Sequence, residues 1–262
     1  MQELLKNIRL FVLDMDGTFY LGDNMIEGAL DFVKKVKETG RDFVFFTNNS
    51  SKNGSMYIEK LERMGCHISQ RDIMTSGDVT AEFLRKNYPD KSVYLAGTPA
   101  LEETFKDAGI RLTQDMPDIV VVGFDMTLTY EKLERVCTYI RRGALFLATH
   151  KDINCPTEDG FIPDCGAMCA AITLSTGVEP KYLGKPCRET LDMVIERTGY
   201  KKEEIAFVGD RIYTDVATGV DNGAVGILVL SGETKKEDIP LFDVRPDGVF
   251  ASLGDMIPYL QD

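Results

Sequence analysis

The sequence has no apolar run approaching the length of a membrane span, no low-complexity tract and no C-x-x-C pair. It is also short of positive charge: 30 Lys and Arg stand against 42 Asp and Glu, a net charge of −12. These absences exclude several classes of protein. A nucleic-acid or anionic-membrane surface needs clustered Lys and Arg, and none is found. Residues 1–9 are too short and too charged for a signal peptide. Cysteines stand at 66, 137, 155, 165, 169 and 187. Cys165 and Cys169 are spaced to share a helical face, but no His or second pair completes a zinc site. Reduced, non-catalytic thiols in a cytoplasmic protein are the expectation.

What is present is an alternation of short apolar runs with helix-period segments. Ile8–Leu13 and Phe43–Phe46 have the pattern of buried strands, and between them Ala29, Leu30, Phe32, Val33 and Val36 form a helical stripe that stops at Gly40. Met56–Gly65 follows as a second helix. The rhythm resumes late in the chain, with strands at Ile205–Val208 and Val225–Leu230, a helix at 214–222 between them, and Met256–Leu260 closing the chain. The middle has its own set: strands at Val93–Ala96, Ile119–Gly123 and Ala144–Ala148, helices near Leu101–Ala108 and Tyr130–Arg142. The expected fold is α/β: a doubly wound, Rossmann-like parallel sheet formed by residues 1–76 and 184–262, interrupted by a smaller αβ domain at 77–183.

Four polar clusters sit where strands are expected to end, and open α/β sheets bind ligands at the carboxyl ends of their strands. The first is Asp14-Met15-Asp16-Gly17-Thr18. One carboxylate there can serve as a nucleophile and the other can move protons, while Gly17 permits the turn that exposes both. An EF-hand start is the alternative, but Phe19 and Tyr20 break that pattern. The second cluster, Thr47-Asn48-Asn49-Ser50, can cradle phosphoryl oxygens or merely cap a helix. The third, Gly184-Lys185-Pro186, offers a point charge for a phosphate or a surface turn. The fourth, Gly209-Asp210 with Asp215, offers carboxylates suited to Mg²⁺ or a solvated loop. Together they supply what phosphoryl transfer needs: a nucleophile, positive charge on the phosphoryl oxygens and a metal. The metal and Lys185 also answer how so acidic a protein handles an anionic substrate.

In this order the clusters resemble the four motifs of the haloacid dehalogenase-like superfamily. Gly28, the stretch 117–125 and the stretch 157–170 narrow the resemblance to subfamily IIA, the group of NagD, p-nitrophenyl phosphatase and pyridoxal phosphatase. The resemblance implies a phosphatase in which Asp14 becomes an aspartyl-phosphate and Asp16 acts as acid and then base. Thr47 and Lys185 would hold the phosphoryl group, with Asn48 and Asn49 nearby. Mg²⁺ would rest on Asp14, the Asp16 main-chain carbonyl and Asp210, supported by Asp215. The inserted domain would be a substrate-selecting cap, through which chains of this family pair. Two departures fall in that cap: the usual Thr-Asn-x-Asp is Thr149-His150-Lys151-Asp152, and the usual Pro-Gly-x-Gly-Ala is Pro163-Asp164-Cys165-Gly166-Ala167. His150 is therefore a candidate substrate contact, or else a surface polar residue.

Rival readings differ in testable ways. A receiver domain would be half this length and carry its acceptor Asp on a middle strand. Dehalogenation would lack an acid at position 16. A phosphotransferase or phosphomutase, or a non-catalytic binder of phosphorylated ligands, would share the site but not release phosphate repeatedly. The expected partner is a small phosphorylated metabolite.

Overall fold

Leu10–Leu13 (β1) is buried at every position, as a strand must be when helices cover both faces of its sheet. The same holds for Ile205–Gly209 and, except at its first residue, for Asp42–Thr47. The computed structural model describes residues 2–157 and 160–260. Residues 158 and 159, which fall within the 157–170 stretch of the family resemblance, lie outside the described residues, as do residues 1, 261 and 262.

In chain order β1 is followed by α1 (Ala29–Glu38), β2 (Asp42–Thr47), α2 (Gly54–Arg63) and β3 (Ile73–Thr75). Next come α3 (Ser76–Asn87), β4 (Val93–Ala96), α4 (Pro99–Asp107), β5 (Ile119–Val122), α5 (Tyr130–Arg141) and β6 (Leu145–Ala148). The chain continues through α6 (Cys165–Thr176), β7 (Lys181–Tyr182), α7 (Arg188–Thr198), β8 (Ile205–Gly209), β9 (Val225–Val229) and β10 (Gly248–Phe250). Short hairpins, Tyr20–Leu21 with Asn24–Met25 and Asn154–Thr157 with Gly160–Pro163, leave the main layers.

Two compact units result: residues 1–47, 58–74 and 185–262, and residues 48–57 and 75–184. The first unit is built on a six-stranded sheet in the order β10-β9-β8-β1-β2-β3. Its registered pairings are parallel, with Leu10 level with Ile205 on one side and with Asp42 on the other. β1 is thus central, which fixes the carboxyl end of Leu13 between those of β2 and β8. Phe32 of α1 meets Phe11 edge-on at 5.4 Å, and Phe19 meets Phe45 at 4.7 Å. These contacts seal the layer beneath the strand ends.

The second unit is a parallel sheet in the order β7-β6-β5-β4. Val120, Val122, Phe146 and Ala148 from its strands pack with Val136 and Ile140 of α5 and with Cys165, Cys169 and Ile172 of α6. These two cysteines are core residues, and none of the six in the chain forms a disulfide. Among the described residues no helix is long and apolar enough to cross a membrane.

The structure departs from the expected elements in one instructive place. The helix expected over 214–222 begins instead as a wide π-type turn, Ile212–Val216, and only Ala217–Val220 is α-helical. The wider turn carries Asp215 and is marked by the Val216 N–H donating to the Arg211 carbonyl, five residues back, at 3.3 Å. Extra turns of this kind are retained where a side chain has to be aimed. The closing segment expected at Met256–Leu260 falls on a 3₁₀ helix, Gly254–Tyr259, with Pro258 inside it.

Candidate active site

Asp14 follows β1 directly, and its N–H donates to the Val208 carbonyl of the neighbouring strand at 2.9 Å. Lys185 lies at the start of the stretch that returns to the first unit, and its ammonium group donates to Asp14 Oδ1 and to Asp215 Oδ1, both at 2.6 Å. A third bond goes to the Phe46 carbonyl at 3.2 Å, one residue before Thr47. The lysine side chain is 3% exposed. Burial alone would discharge it, but the two carboxylates prevail and push its pKa above the ordinary lysine range. Asp14 feels the opposite balance. Burial is the largest influence on it, ahead of the attraction of Lys185, and with Asp215 and Asp210 also close its pKa is raised well above the usual carboxylate value.

Asp210 is the informative member. Its Oδ2 accepts a bond from the Glu233 N–H at 2.7 Å, whereas Oδ1 is buried and has no hydrogen-bond partner in the protein. Buried acceptors are normally satisfied. Burial, reinforced by Asp215, raises its pKa to about 6. A buried, unsatisfied carboxylate oxygen whose charge is penalised is suited to a bound cation. Asp14, Asp210 and Asp215 each offer an oxygen, and these lie within 4.8 Å of one another. The donors are all hard oxygens, which fit Mg²⁺ and not a thiophilic metal.

Two glycines make this crowding feasible. Gly17, at φ +84°, turns the chain sharply after Asp16, and a Cβ there would collide with the Asp210 carboxylate. At Gly209 a Cβ would strike the Asp215 carboxyl group. Asp16 itself is exposed, two residues beyond Asp14. Thr47 is buried at the end of β2. In the first unit, then, the structure brings Asp14, Lys185, Asp210 and Asp215 together, with Asp16 and Thr47 at the ends of β1 and β2.

The other three candidates belong to the second unit. The Asn48 amide donates to Asp152 at 3.2 Å, and Asn49 Oδ1 accepts from the Ser51 N–H at 2.9 Å and from its hydroxyl at 2.7 Å. His150 is wholly buried beside Asp164. Sequence reasoning also missed the turn after β9. Ser231 donates to the Gly17 carbonyl at 2.7 Å, and Glu233 supplies the N–H that holds Asp210. Ser231-Gly232-Glu233 is another small-residue turn at a strand end, so the signal was available.

Comparison with known proteins agrees with this geometry. The profile of the haloacid dehalogenase-like hydrolases matches residues 11–111, and a second HAD-hydrolase-like profile matches residues 182–256. The 5'-nucleotidase YutF of Bacillus subtilis is 34% identical, over 98% of this chain and all of its own. The chain belongs to the haloacid dehalogenase-like hydrolase family. A 4-nitrophenylphosphatase from Thermotoga maritima superposes with a TM-score of 0.95 at 46% identity, over 98% of this chain and 99% of the other. NagD from E. coli K-12 superposes with a TM-score of 0.88 at 30% identity, over 95% of this chain and 98% of its own. This HAD hydrolase therefore falls in the subfamily IIA branch of NagD and the p-nitrophenyl phosphatases.

Proposed function

We propose that this protein is a magnesium-dependent phosphatase that hydrolyses small phosphate monoesters through an aspartyl-phosphate on Asp14. The observation that carries the reading is the buried constellation of Asp14, Lys185, Asp215 and the unsatisfied Asp210 Oδ1 at the ends of β1 and β8. The enzyme is a phosphoric monoester hydrolase, and each residue has a distinct task. Lys185 takes one oxygen of Asp14 and leaves the other to attack phosphorus. Its charge then neutralises the phosphoryl oxygens, with Thr47 as a second donor. Asp16, at the surface of the turn, donates a proton to the departing alcohol oxygen and later removes one from the water that cleaves the acyl-phosphate.

Asp14, Asp210 and the Asp16 main-chain carbonyl would hold Mg²⁺, with Asp215 behind them; when bound, the ion supplies positive charge to the phosphoryl oxygens. The second unit is the cap that selects the substrate. A cytoplasmic setting, a small phosphorylated metabolite as substrate and self-association through the second unit belong to the same reading. The relatives' names do not agree on a substrate, one being a nucleotidase and another a nitrophenylphosphatase.

The test is phosphate release from a panel of monoesters with Mg²⁺ and with a chelator. Metal-dependent, repeated release is expected. A single stoichiometric burst would instead indicate a phosphotransferase waiting for an acceptor other than water, and no release from folded protein across a broad panel would refute hydrolysis. Asp210→Asn separates the metal site from the rest. Ligand binding stabilises a fold by about 1.4 kcal/mol for each tenfold excess over Kd. Mg²⁺ should therefore raise the Tm of the wild-type protein and leave that of Asp210→Asn unmoved at the same concentration. An equal shift in both would remove Asp210 from the ligand set.

A further inference from the structure

His150 follows β6, where the sequence placed a candidate substrate contact, yet its side chain is 0% exposed. Its partners are all in the second unit. Nε2 meets Asp164 Oδ1 at 2.8 Å, and Nδ1 lies 2.9 Å from the Thr149 hydroxyl and 3.3 Å from that of Ser76. The Ser76 hydroxyl in turn donates to the main-chain carbonyl of Asn48 at 2.5 Å. Proton accounting fixes one nitrogen: a carboxylate only accepts, so Nε2 carries a proton and donates it to Asp164. Nδ1 faces two hydroxyls. Ser76 has given its single proton to Asn48 and can only accept, whereas Thr149 can donate or accept. Although burial opposes a charge on the ring, Cys165, Asp164 and Asp152 overcome it and raise the pKa of His150 to about 9, so near neutral pH Nδ1 is protonated and donates toward both hydroxyls.

The Asn48 carbonyl is one of several points at which the stretch after Thr47 is tied down. The Asn48 side chain is held by Asp152 at 3.2 Å. Ser50 Oγ lies 2.9 Å from the Thr149 hydroxyl and accepts from the Phe124 N–H at 2.9 Å. The Ser51 carbonyl accepts from Thr98 at 2.8 Å. His150, Asp152 and Asp164 also lie within 4.8 Å of one another, as a metal site would require. The imidazole and the Asp164 carboxylate meet directly, however, and form an ion pair that needs no ion between them.

We propose that His150 is a positioning residue: it holds the Ser76 hydroxyl against the Asn48 carbonyl and so fixes the course of the chain as it leaves Thr47. This rests on the reading of Thr47 as a phosphoryl-binding residue. Every monoester presents the same phosphoryl group to that residue, whatever its alcohol. A defect transmitted through the chain after Thr47 therefore weakens all substrates alike, whereas loss of a substrate contact would weaken some and spare others.

The experiment compares kcat/KM for aryl, sugar and nucleoside monophosphates in the wild type, His150→Ala, Ser76→Ala and the double variant. His150→Ala should lose ~10–100-fold by the same factor on every ester, the scale of a small misplacement in a site. Ser76→Ala, which leaves the imidazole and Asp164 in place, should lose a similar factor, and the double variant no more than the worse single, because both act through one carbonyl. His150→Asn keeps an N–H at the Nδ1 position and should recover most of the loss. Losses that vary with the alcohol, losses that add, or a failure of Asn to rescue would each overturn the proposal. If the wild type releases no phosphate from any ester, the phosphatase reading falls and this inference with it. Wild-type turnover with unaffected variants overturns this inference alone.

Discussion

Replacing Lys185 with methionine is expected to destabilise the fold by about 3–5 kcal/mol, as well as to abolish turnover. The side chain would still be filled with apolar volume, so packing is not the cause. The lysine is the shared partner of Asp14 and Asp215, each at 2.6 Å, and Asp215 is buried as deeply as the lysine itself. Removing one member of a buried charge cluster leaves the others uncompensated, which costs far more than the pair contributed. The penalty has a pH signature. Asp14 is already pushed upward by burial, and without the ammonium its folded-state pKa rises further above the unfolded value. Such a carboxylate destabilises the fold when it must be charged, at higher pH, and is tolerated when protonated, at lower pH. Urea unfolding in chelator at pH 7.5 and 5.5 should show the larger deficit at pH 7.5, with m unchanged. A deficit below about 1 kcal/mol at both would mean that water reaches the carboxylates and solvates them.

Asp14→Asn should have the opposite effect on stability and the same effect on activity. An amide cannot form the acyl-phosphate, so turnover is expected to fall on the order of 10⁴-fold or more, the usual consequence of deleting a covalent nucleophile. Yet the amide removes one of three negative charges crowded within 4.8 Å, while Lys185 keeps its bond to Asp215. In metal-free buffer the variant should be at least as stable as the wild type, the usual relation between a functional site and the fold that carries it. Thermal unfolding in chelator, together with a search for a phosphorylated Asp14 peptide by mass spectrometry in the wild type alone, tests both halves. A variant that retains a tenth of its activity would remove Asp14 from the chemistry.

Much of this was legible because parallel sheets write themselves plainly into sequence. β1, β2 and β8 are nearly continuous apolar runs, and the residue just past the apolar stretch of each is polar, so Asp14, Thr47 and Asp210 stood out by position as well as by type. Lys185 was legible for a weaker reason. The strand just before it, β7, has only two residues and belongs to the second unit's sheet, so no apolar run announced it. α3 went unread because its buried face includes Ser76, Gly77 and Thr80, which carry no hydrophobic period. α6 is apolar on nearly every side, and a helix without a polar face gives periodicity nothing to measure. His150 illustrates a different limit. Its type and its place after β6 suit a ligand contact or a structural residue equally, and what distinguishes the two is burial against Ser76 and Asp164, 74 and 14 residues away.

The bond between Asp14 and Lys185 joins residues 171 apart in the chain, and β1 finds its partner β8 more distant still. During synthesis the amino-terminal strand therefore emerges long before one of its two neighbours exists. Until residues 185–209 have left the ribosome, one side of β1 is an open apolar edge, and Asp14 lacks the counter-charge of Lys185. The second unit, by contrast, has its whole four-stranded sheet within residues 93–182, so its strands are all made before β8. Domains completed early and sheets closed late are where nascent chains need protection from one another. For this protein the order of translation delays assembly of the acidic cluster around Asp14 until Lys185, Asp210 and Asp215 have all been made.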